Sequence, residues 1–108
     1  MEVRYADSKV EKLATDKKHA TRTLGAQYAD YLGRRIKQLE AADTLADVFP
    51  PAPGKWHWLL YDRAGQVSGT VKDGIRLIVV PENGEGEPPY DATVVTIEEV
   101  SEHYTKGR

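Results

Sequence analysis

Residues 55–80 read KWHWLLYDRAGQVSGTVKDGIRLIVV, and polar and apolar side chains alternate along much of this stretch. A period of two is typical of β-strands with one buried face. Two turn signals divide the stretch, Asp62-Arg63-Ala64-Gly65 and Lys72-Asp73-Gly74, and the Asp-Gly pair in the second favours a tight hairpin. The sequence therefore predicts three consecutive strands, over Lys55–Leu60, Gln66–Val71 and Ile75–Val80.

Two helices are predicted before these strands. Ser8-Lys9-Val10-Glu11 fits a capping box with Ser8 as the N-cap, and it opens a first helix that ends near residues 17–19. A second helix is predicted from about Thr23 to Ala42, because apolar residues recur there every three or four positions. The apolar stripe consists of Leu24, Tyr28, Tyr31, Leu32, Ile36 and Leu39.

Two further strands complete the predicted sheet. Polar and apolar residues alternate over Glu2–Tyr5, which is predicted as the first strand. The last strand is predicted over Ala92–Glu98, after an exposed loop over Glu82–Pro89. The element order is β-α-α-β-β-β-β in a single domain over residues 1–108. We therefore predict an α+β fold, in which an N-terminal strand and a two-helix hairpin pack on a mainly antiparallel sheet of four to five strands.

Composition excludes several classes of function. The chain has 108 residues, no cysteine, and 15 Lys and Arg against 17 Asp and Glu, which gives a net charge of −2. Disulfides and thiolate metal sites are impossible, and the net charge does not favour nonspecific adhesion to nucleic acid. The three histidines are too scattered for a zinc motif, so no metal or cofactor is expected. No membrane-spanning or signal segment is predicted, which makes a cytoplasmic protein the expectation.

The segments RRIKQLEAADTLADV (34–48) and PPAPGKWHWLLYDRAGQVSGTVKDGIRLIVV (50–80) resemble the core of the RelE/ParE toxin superfamily, in particular its HigB-like, or proteic killer, branch. That branch typically carries Arg-(Arg/Lys)-Leu-x-x-Leu-(Asp/Glu)-Ala-Ala, then Pro-Pro-Gly, Leu-His-x-Leu, Asp/Asn-Arg-x-Gly-Gln, a Ser-Ile-x-Val strand and Trp-Arg-Leu. The matching positions are Arg35, Leu39, Glu40, Ala41, Ala42, Leu45, Pro53, Gly54, His57, Leu59, Asp62, Arg63, Gly65, Gln66, Ser68, Val71, Arg76 and Leu77.

The resemblance implies the toxin of a bacterial type II toxin–antitoxin system. HigB-like members enter the ribosomal decoding site and cut mRNA, and a HigA-like antitoxin with a helix-turn-helix domain holds them inactive. The expected partners are therefore an antitoxin, the ribosome and mRNA, with no membrane and no sequence-specific DNA binding without the antitoxin. Two alternatives remain open: a ParE-like gyrase inhibitor that acts by protein contact, and a degenerate homologue that only binds an antitoxin.

The resemblance also implies site residues. Arg76 falls where the family has its phosphate-contacting arginine, and it interrupts an otherwise apolar strand, where an unpaired charge is costly. An ion pair to Glu98 or Asp62 is the alternative for Arg76. His57 matches the strand histidine, which would serve as acid or base; the alternative is a histidine that merely packs beside Trp56 and Trp58.

Further candidates lie at the C-terminus and on the surface. HigB-like chains end Asp-Tyr-His, and His103-Tyr104 has the last two residue types in the opposite order. The family also has Lys-Gly where this chain has Leu60-Tyr61, so a phosphate-neutralising lysine is absent there. The predicted RNA-binding residues are Arg63, Lys55, and Lys9 and Lys12 of the first helix. For the two helix lysines, a solvent-exposed helix face is the simpler interpretation.

Overall fold

The computed structural model describes residues 1–101, which form the predicted α+β fold. One five-stranded sheet has the strand order β1-β5-β4-β3-β2, in which β1 runs parallel to β5 and the other neighbours are antiparallel. The elements are β1 (Glu2–Tyr5), α1 (Ser8–Thr15), α2 (Lys17–Leu24), α3 (Ala26–Ala41), β2 (His57–Trp58), β3 (Val67–Lys72), β4 (Ile75–Pro81) and β5 (Val94–Ser101).

Three α-helices, and not two, form the helical layer in the described part of the chain, so the prediction of a two-helix hairpin was wrong in that respect. Asp16 has an extended backbone and ends α1. Its carboxylate also accepts a hydrogen bond from the backbone N–H of His19, and this bond caps the first turn of α2. Gly25, at φ 95°, separates α2 from α3, so Leu24 belongs to a different helix from the rest of the predicted stripe. The N-cap of α1 is Asp7 and not Ser8, because the Asp7 carboxylate accepts the Val10 N–H at 2.8 Å.

The core lies between α3 and one face of the sheet. Ala29, Leu32, Ile36 and Leu39 are the buried residues of α3, at the spacing of one helix face. They pack towards alternate residues of the strands, which are Val67, Val71, Ile75, Leu77, Val79, Val95 and Ile97. A short 3-10 turn over Leu45–Val48 follows α3, and Thr44 and Asp47 cap it reciprocally. Among the described residues, no helix is long and apolar enough to cross a membrane.

Trp56 determines how β2 joins the sheet. Its side chain is 1% exposed, and its indole lies so close to Gly69 of β3 that a Cβ on Gly69 would fall 2.5 Å from the ring. The indole N–H donates to Gln38 Oε1 of α3 at 3.1 Å, and Gln38 Nε2 donates to the Pro53 carbonyl at 2.7 Å. Trp56 is therefore held between the helix and a strand position that only glycine leaves open.

A β-bulge changes the phase of β5. Val79 pairs with Ile97, whereas Ile78 pairs with Glu99, so Glu98 has no partner position on β4. Without the extra residue, the alternation that buries Ile97 would direct Glu99 into the core. The bulge instead places Glu99 opposite Ile78 on the outer face. The strand predicted over Ala92–Glu98 therefore begins later and continues to Ser101.

The turn between β3 and β4 and the loop between β4 and β5 form where the sequence predicts them. Asp73, at φ 54°, forms the hairpin between β3 and β4, and its carboxylate accepts the Tyr28 hydroxyl at 2.7 Å. The predicted loop over Glu82–Pro89 is confirmed, and Asp91 closes it by accepting the backbone N–H groups of Glu85 and Gly86. These hydrogen bonds lower the pKa of the Asp91 carboxyl group.

Gly69→Ala is expected to lower the free energy of unfolding by about 1–3 kcal/mol, because the added methyl group would overlap the Trp56 ring. Gly33→Ala is the matched control. Gly33 lies within α3 with nothing within 4 Å of an added Cβ, so the same change there should stabilise the protein by about 0.5–1 kcal/mol. Chemical denaturation of both variants measures the difference. Equal stability for the two would show that Trp56 does not occupy the space above Gly69.

Candidate functional site

The sheet face opposite the helices carries a cleft with a volume of about 450 Å³. Its walls come from the outward-facing positions of β3, β4 and β5 and from the turn before β3. We call it the open-face cleft, and its lining residues are Leu59, Arg63, Ser68, Arg76, Ile78, Glu99 and Ser101. The register explains this grouping, because Ser68, Ile78 and Glu99 form one row across three strands, and Thr70, Arg76 and Ser101 form the next.

Arg76 lies in the open-face cleft without a partner for its Nε. The Nε atom is buried and has no hydrogen-bond acceptor among residues 1–101. The alternative ion pair to Glu98 or Asp62 does not form within that part of the chain. A buried guanidinium nitrogen without an acceptor is costly, and an oxyanion in the cleft would satisfy it.

His57 lies on the same face as Arg76. It pairs with Ser68 of β3, and the flanking Trp56 and Trp58 are directed to the other side of β2, where Trp56 is buried and Trp58 contacts Phe49. The His57 side chain is exposed, so it does not pack between the tryptophans. Its Nδ1 lies 3.0 Å from the Lys55 carbonyl oxygen. Because a carbonyl oxygen only accepts, Nδ1 is the donor in this contact, and in the neutral imidazole the lone pair is then on Nε2, where a substrate proton would bind.

The sheet register sets the distance between the two groups. His57 is two strands away from Arg76 and two residues along. At roughly 4.8 Å between strands and roughly 3.4 Å per residue, their Cα atoms lie about 12 Å apart. Both side chains extend from one face of the sheet, with Ser68 between them. The two predicted residues therefore border one surface, which an extended ligand would be able to span.

Arg63 also lines the open-face cleft, but its charge is already paired. Its Nη2 lies 2.7 Å from Glu99 Oε1, and its Nε donates to Gln66 Oε1 at 2.8 Å. Both charged side chains are about two-fifths exposed, so water screens the pair and its net contribution is on the order of 0–1 kcal/mol. A phosphate group would have to compete with Glu99 for this guanidinium.

The other predicted residues lie elsewhere. Lys9 and Lys12 belong to α1, in the layer on the opposite side of the sheet from the cleft, and their contact with RNA stays a prediction. Lys55 is exposed beside His57, with φ 51°. His103 and Tyr104 lie outside the described residues. No group of three or more possible metal ligands occurs within residues 1–101.

Ser68 and Glu99 are among the cleft residues that sequence reasoning did not identify as site residues. Ser68 appeared only as one position in a family match, and Glu99 was not singled out. Counting the register from a turn at Asp62–Gly65 would place Thr70 opposite His57. The observed pairing of His57 with Ser68 instead leaves six residues, 60–65, in the connection, so the predicted turn alone did not locate Ser68. Glu99 could not be located by alternation either, because the bulge at Glu98 shifts it.

Comparison with solved structures shows which known folds this one is similar to. A YoeB/ParE toxin from Agrobacterium tumefaciens superposes with a TM-score of 0.58 at 15% sequence identity, covering 93% of this chain and 95% of that one. A YoeB dimer from Staphylococcus aureus gives a TM-score of 0.57 at 11% identity, covering 94% of each chain. No protein-family model and no curated protein matches the sequence. At these identities, the likeness establishes a shared fold over nearly the whole chain.

The turn beside the cleft exposes two large apolar side chains. Leu60 is 67% exposed and Tyr61 is 91% exposed, and both lie next to Arg63 in the segment that leads from β2 to β3. Tyr61 has φ 59°, in the left-handed region that costs a residue with a Cβ on the order of 1–2 kcal/mol. The turn therefore maintains an exposed aromatic ring in a strained backbone position.

Tyr61→Gly is expected to raise the free energy of unfolding by about 0.5–1 kcal/mol, because glycine adopts positive φ without strain and the exposed ring loses few contacts. Tyr61→Ala is the control, since it removes the same ring but keeps the Cβ, and it should give no gain. Denaturant unfolding of both variants checks this. A gain of equal size for alanine would place the effect in the ring and not in the backbone.

Proposed function

We propose that this protein is the toxin of a bacterial type II toxin–antitoxin system and acts as an mRNA interferase on the ribosome. The observation that carries the proposal is Arg76, which lines an open cleft and whose buried Nε has no acceptor within residues 1–101. The fold shared with solved toxins supports the assignment to a toxin. The resemblance of residues 34–80 to HigB-like chains supports the more specific assignment to mRNA cleavage.

Groups for cleaving RNA through its own 2′-hydroxyl would come from the open-face cleft and from His57, which borders the cleft on the same sheet face. His57 Nε2 would accept the 2′-hydroxyl proton as the 2′-oxygen attacks phosphorus. The bond to the 5′-oxygen then breaks, which leaves a 2′,3′-cyclic phosphate on one product and a 5′-hydroxyl on the other. The leaving oxygen takes a proton from a general acid, and the family resemblance assigns that role to His103 or Tyr104. Arg76 would stabilise the extra negative charge on the phosphate in the transition state.

The partners follow from this activity. A ribosome-directed nuclease would work in the cytoplasm, and ribosomal RNA would contact basic residues such as Lys55 around the cleft. A cognate antitoxin, of the HigA-like helix-turn-helix type by resemblance, would hold the toxin inactive. Such a toxin needs no sequence-specific DNA binding of its own.

A gyrase inhibitor that acts by protein contact is the second candidate, and one observation favours it. The charge of Arg63 is engaged by Glu99, and Lys9 and Lys12 lie on the other layer, so the cleft presents less free positive charge than RNA binding favours. Sequencing the ends of nucleic acids after induced expression separates the two activities. New transcript ends at codon boundaries support the nuclease, whereas double-strand DNA breaks support the gyrase inhibitor.

Arg76→Ala is expected to lower mRNA cleavage roughly 100-fold or more and to abolish growth arrest, because the phosphate loses its main cationic contact. Arg76 makes no ion pair within the described residues, so its replacement removes none that stabilises the fold. The folded variant should therefore still bind the antitoxin. Arg34→Ala is the matched control: Arg34 pairs with Asp30 at 2.9 Å on the helical layer, and its loss should leave cleavage unchanged.

Two results would contradict this assignment of Arg76. The first is full growth arrest by soluble Arg76→Ala protein. The second is unfolding of both Arg76→Ala and Arg76→Lys, which would give the arginine a structural role. Arg76→Lys retains the charge without the planar fork, so a folded lysine variant with intermediate cleavage supports phosphate binding.

A further inference from the structure

Ser68 is the most deeply buried polar residue among residues 1–101. It is 1% exposed, and its hydroxyl oxygen has no hydrogen-bond partner in that part of the chain. Nearly all buried polar groups in folded proteins have a partner, so an exception needs an explanation. Three side-chain atoms within residues 1–101 are exceptions, namely Trp58 Nε1, Ser68 Oγ and Arg76 Nε. Two of the three belong to residues that line the same open-face cleft.

The register places Ser68 between the two candidate site residues. It pairs directly with His57 on β2 and with Ile78 on β4. Directly paired side chains begin about 4.5–5.5 Å apart at Cβ. Arg76 is the diagonal neighbour, two residues along β4 from Ile78, and diagonal neighbours lie about 7–8 Å apart. The Ser68 hydroxyl therefore lies on the floor of the cleft, with the imidazole on one side and the guanidinium on the other.

The chemistry of the two unpartnered groups identifies the ligand class. Arg76 Nε–H can only donate a hydrogen bond, and the Ser68 hydroxyl can donate one. A ligand that satisfies both must accept two hydrogen bonds at neighbouring positions, and the guanidinium favours a negatively charged group. The non-bridging oxygens of a phosphodiester meet both requirements. The walls beside Ser68 are apolar at Leu59 and Ile78, so little else within the described part of the cleft would compete for its hydroxyl.

We propose that Ser68 binds the phosphate on which the reaction takes place, with its hydroxyl donating a hydrogen bond to the non-bridging oxygen that Arg76 does not contact. This inference rests on the proposed nuclease function and adds a second donor, a neutral one, to the phosphate site beside the charged Arg76. The hydrogen bond strengthens as negative charge develops on the phosphate oxygens in the transition state. Ser68 therefore contributes to both substrate binding and cleavage, and the unpartnered hydroxyl of the free protein is the cost of that role.

The test uses Ser68→Ala in the full chain, with Thr96→Val as the matched control. Thr96 is 9% exposed and its position on β5 directs it to the same sheet face, but it does not line the cleft. Three measurements are made: the melting temperature, the rate of mRNA cleavage in a purified translation system, and the affinity for a dinucleoside monophosphate with a 5′-side 2′-deoxyribose. That probe carries the phosphodiester but cannot be cleaved, and the NMR signal of Arg76 Nε–H reports its binding.

Ser68→Ala is expected to melt at the same temperature as the wild type or higher. The variant has no hydroxyl group at this position that must give up its hydrogen bonds to water when the chain folds. It should bind the probe roughly tenfold more weakly and cleave mRNA at least tenfold more slowly, as expected for loss of a hydrogen bond to an ionised acceptor. Thr96→Val should leave probe affinity and cleavage unchanged.

The results that would contradict the role of Ser68 differ from those that would contradict the proposed function. A lower melting temperature for Ser68→Ala with unchanged probe affinity would show that the hydroxyl has a structural partner, and this overturns the inference. Normal probe binding and cleavage by Ser68→Ala, together with their loss in Arg76→Ala, would overturn the role of Ser68 but leave the proposed function standing. Growth arrest by wild-type protein that neither binds the probe nor cleaves mRNA would overturn both.

Discussion

The contact between the Trp56 indole and Gly69 fixes the rest of this structure. A strand glycine opposite an aromatic residue leaves a groove that the ring covers, and here the ring is also tied to α3 through Gln38. Because side chains alternate along a strand, burying Trp56 on the helical side directs the next residue, His57, to the other side. A slip of one residue would reverse both, placing an imidazole in the core and an indole in solvent.

The uncovered face of the sheet owes its polar character to a second constraint. The three α-helices within residues 1–101 belong to the layer that covers the other face, so the residues that alternate away from the core line a cleft. Arg76 and Ser101 share one row, and the bulge at Glu98 brings Glu99 onto the same face. A site made of strand positions is held more rigidly than one on loops. The spacing of its donors is therefore set by the hydrogen-bonded register, whereas the turn with Tyr61 only borders it.

Much of the fold could be predicted because its signals are local. The Asp73-Gly74 turn, the alternation of β3 and the apolar stripe of α3 each act within a few residues. The failures were of two kinds. Asp16 and Gly25 interrupt the helices without breaking the hydrophobic pattern, so periodicity alone predicted two helices where the structure has three within residues 1–101. The pairing of Arg63 with Glu99 joins residues 36 positions apart, and no local pattern encodes it. Arg76 was predictable because a lone charge in an apolar strand is costly at any register.

That cost also bears on whether this chain is a degenerate homologue. Ser68 Oγ and Arg76 Nε are both buried without a partner within residues 1–101, so apolar replacements of similar shape would remove a penalty and stabilise the fold. Most proteins lie close to their stability threshold, and a chain that no longer binds a ligand gains nothing from keeping two such groups in one cleft. A homologue that retained only an antitoxin interface would be free to lose them. Two unmet donors on one cleft floor therefore favour a protein that still binds an anion there.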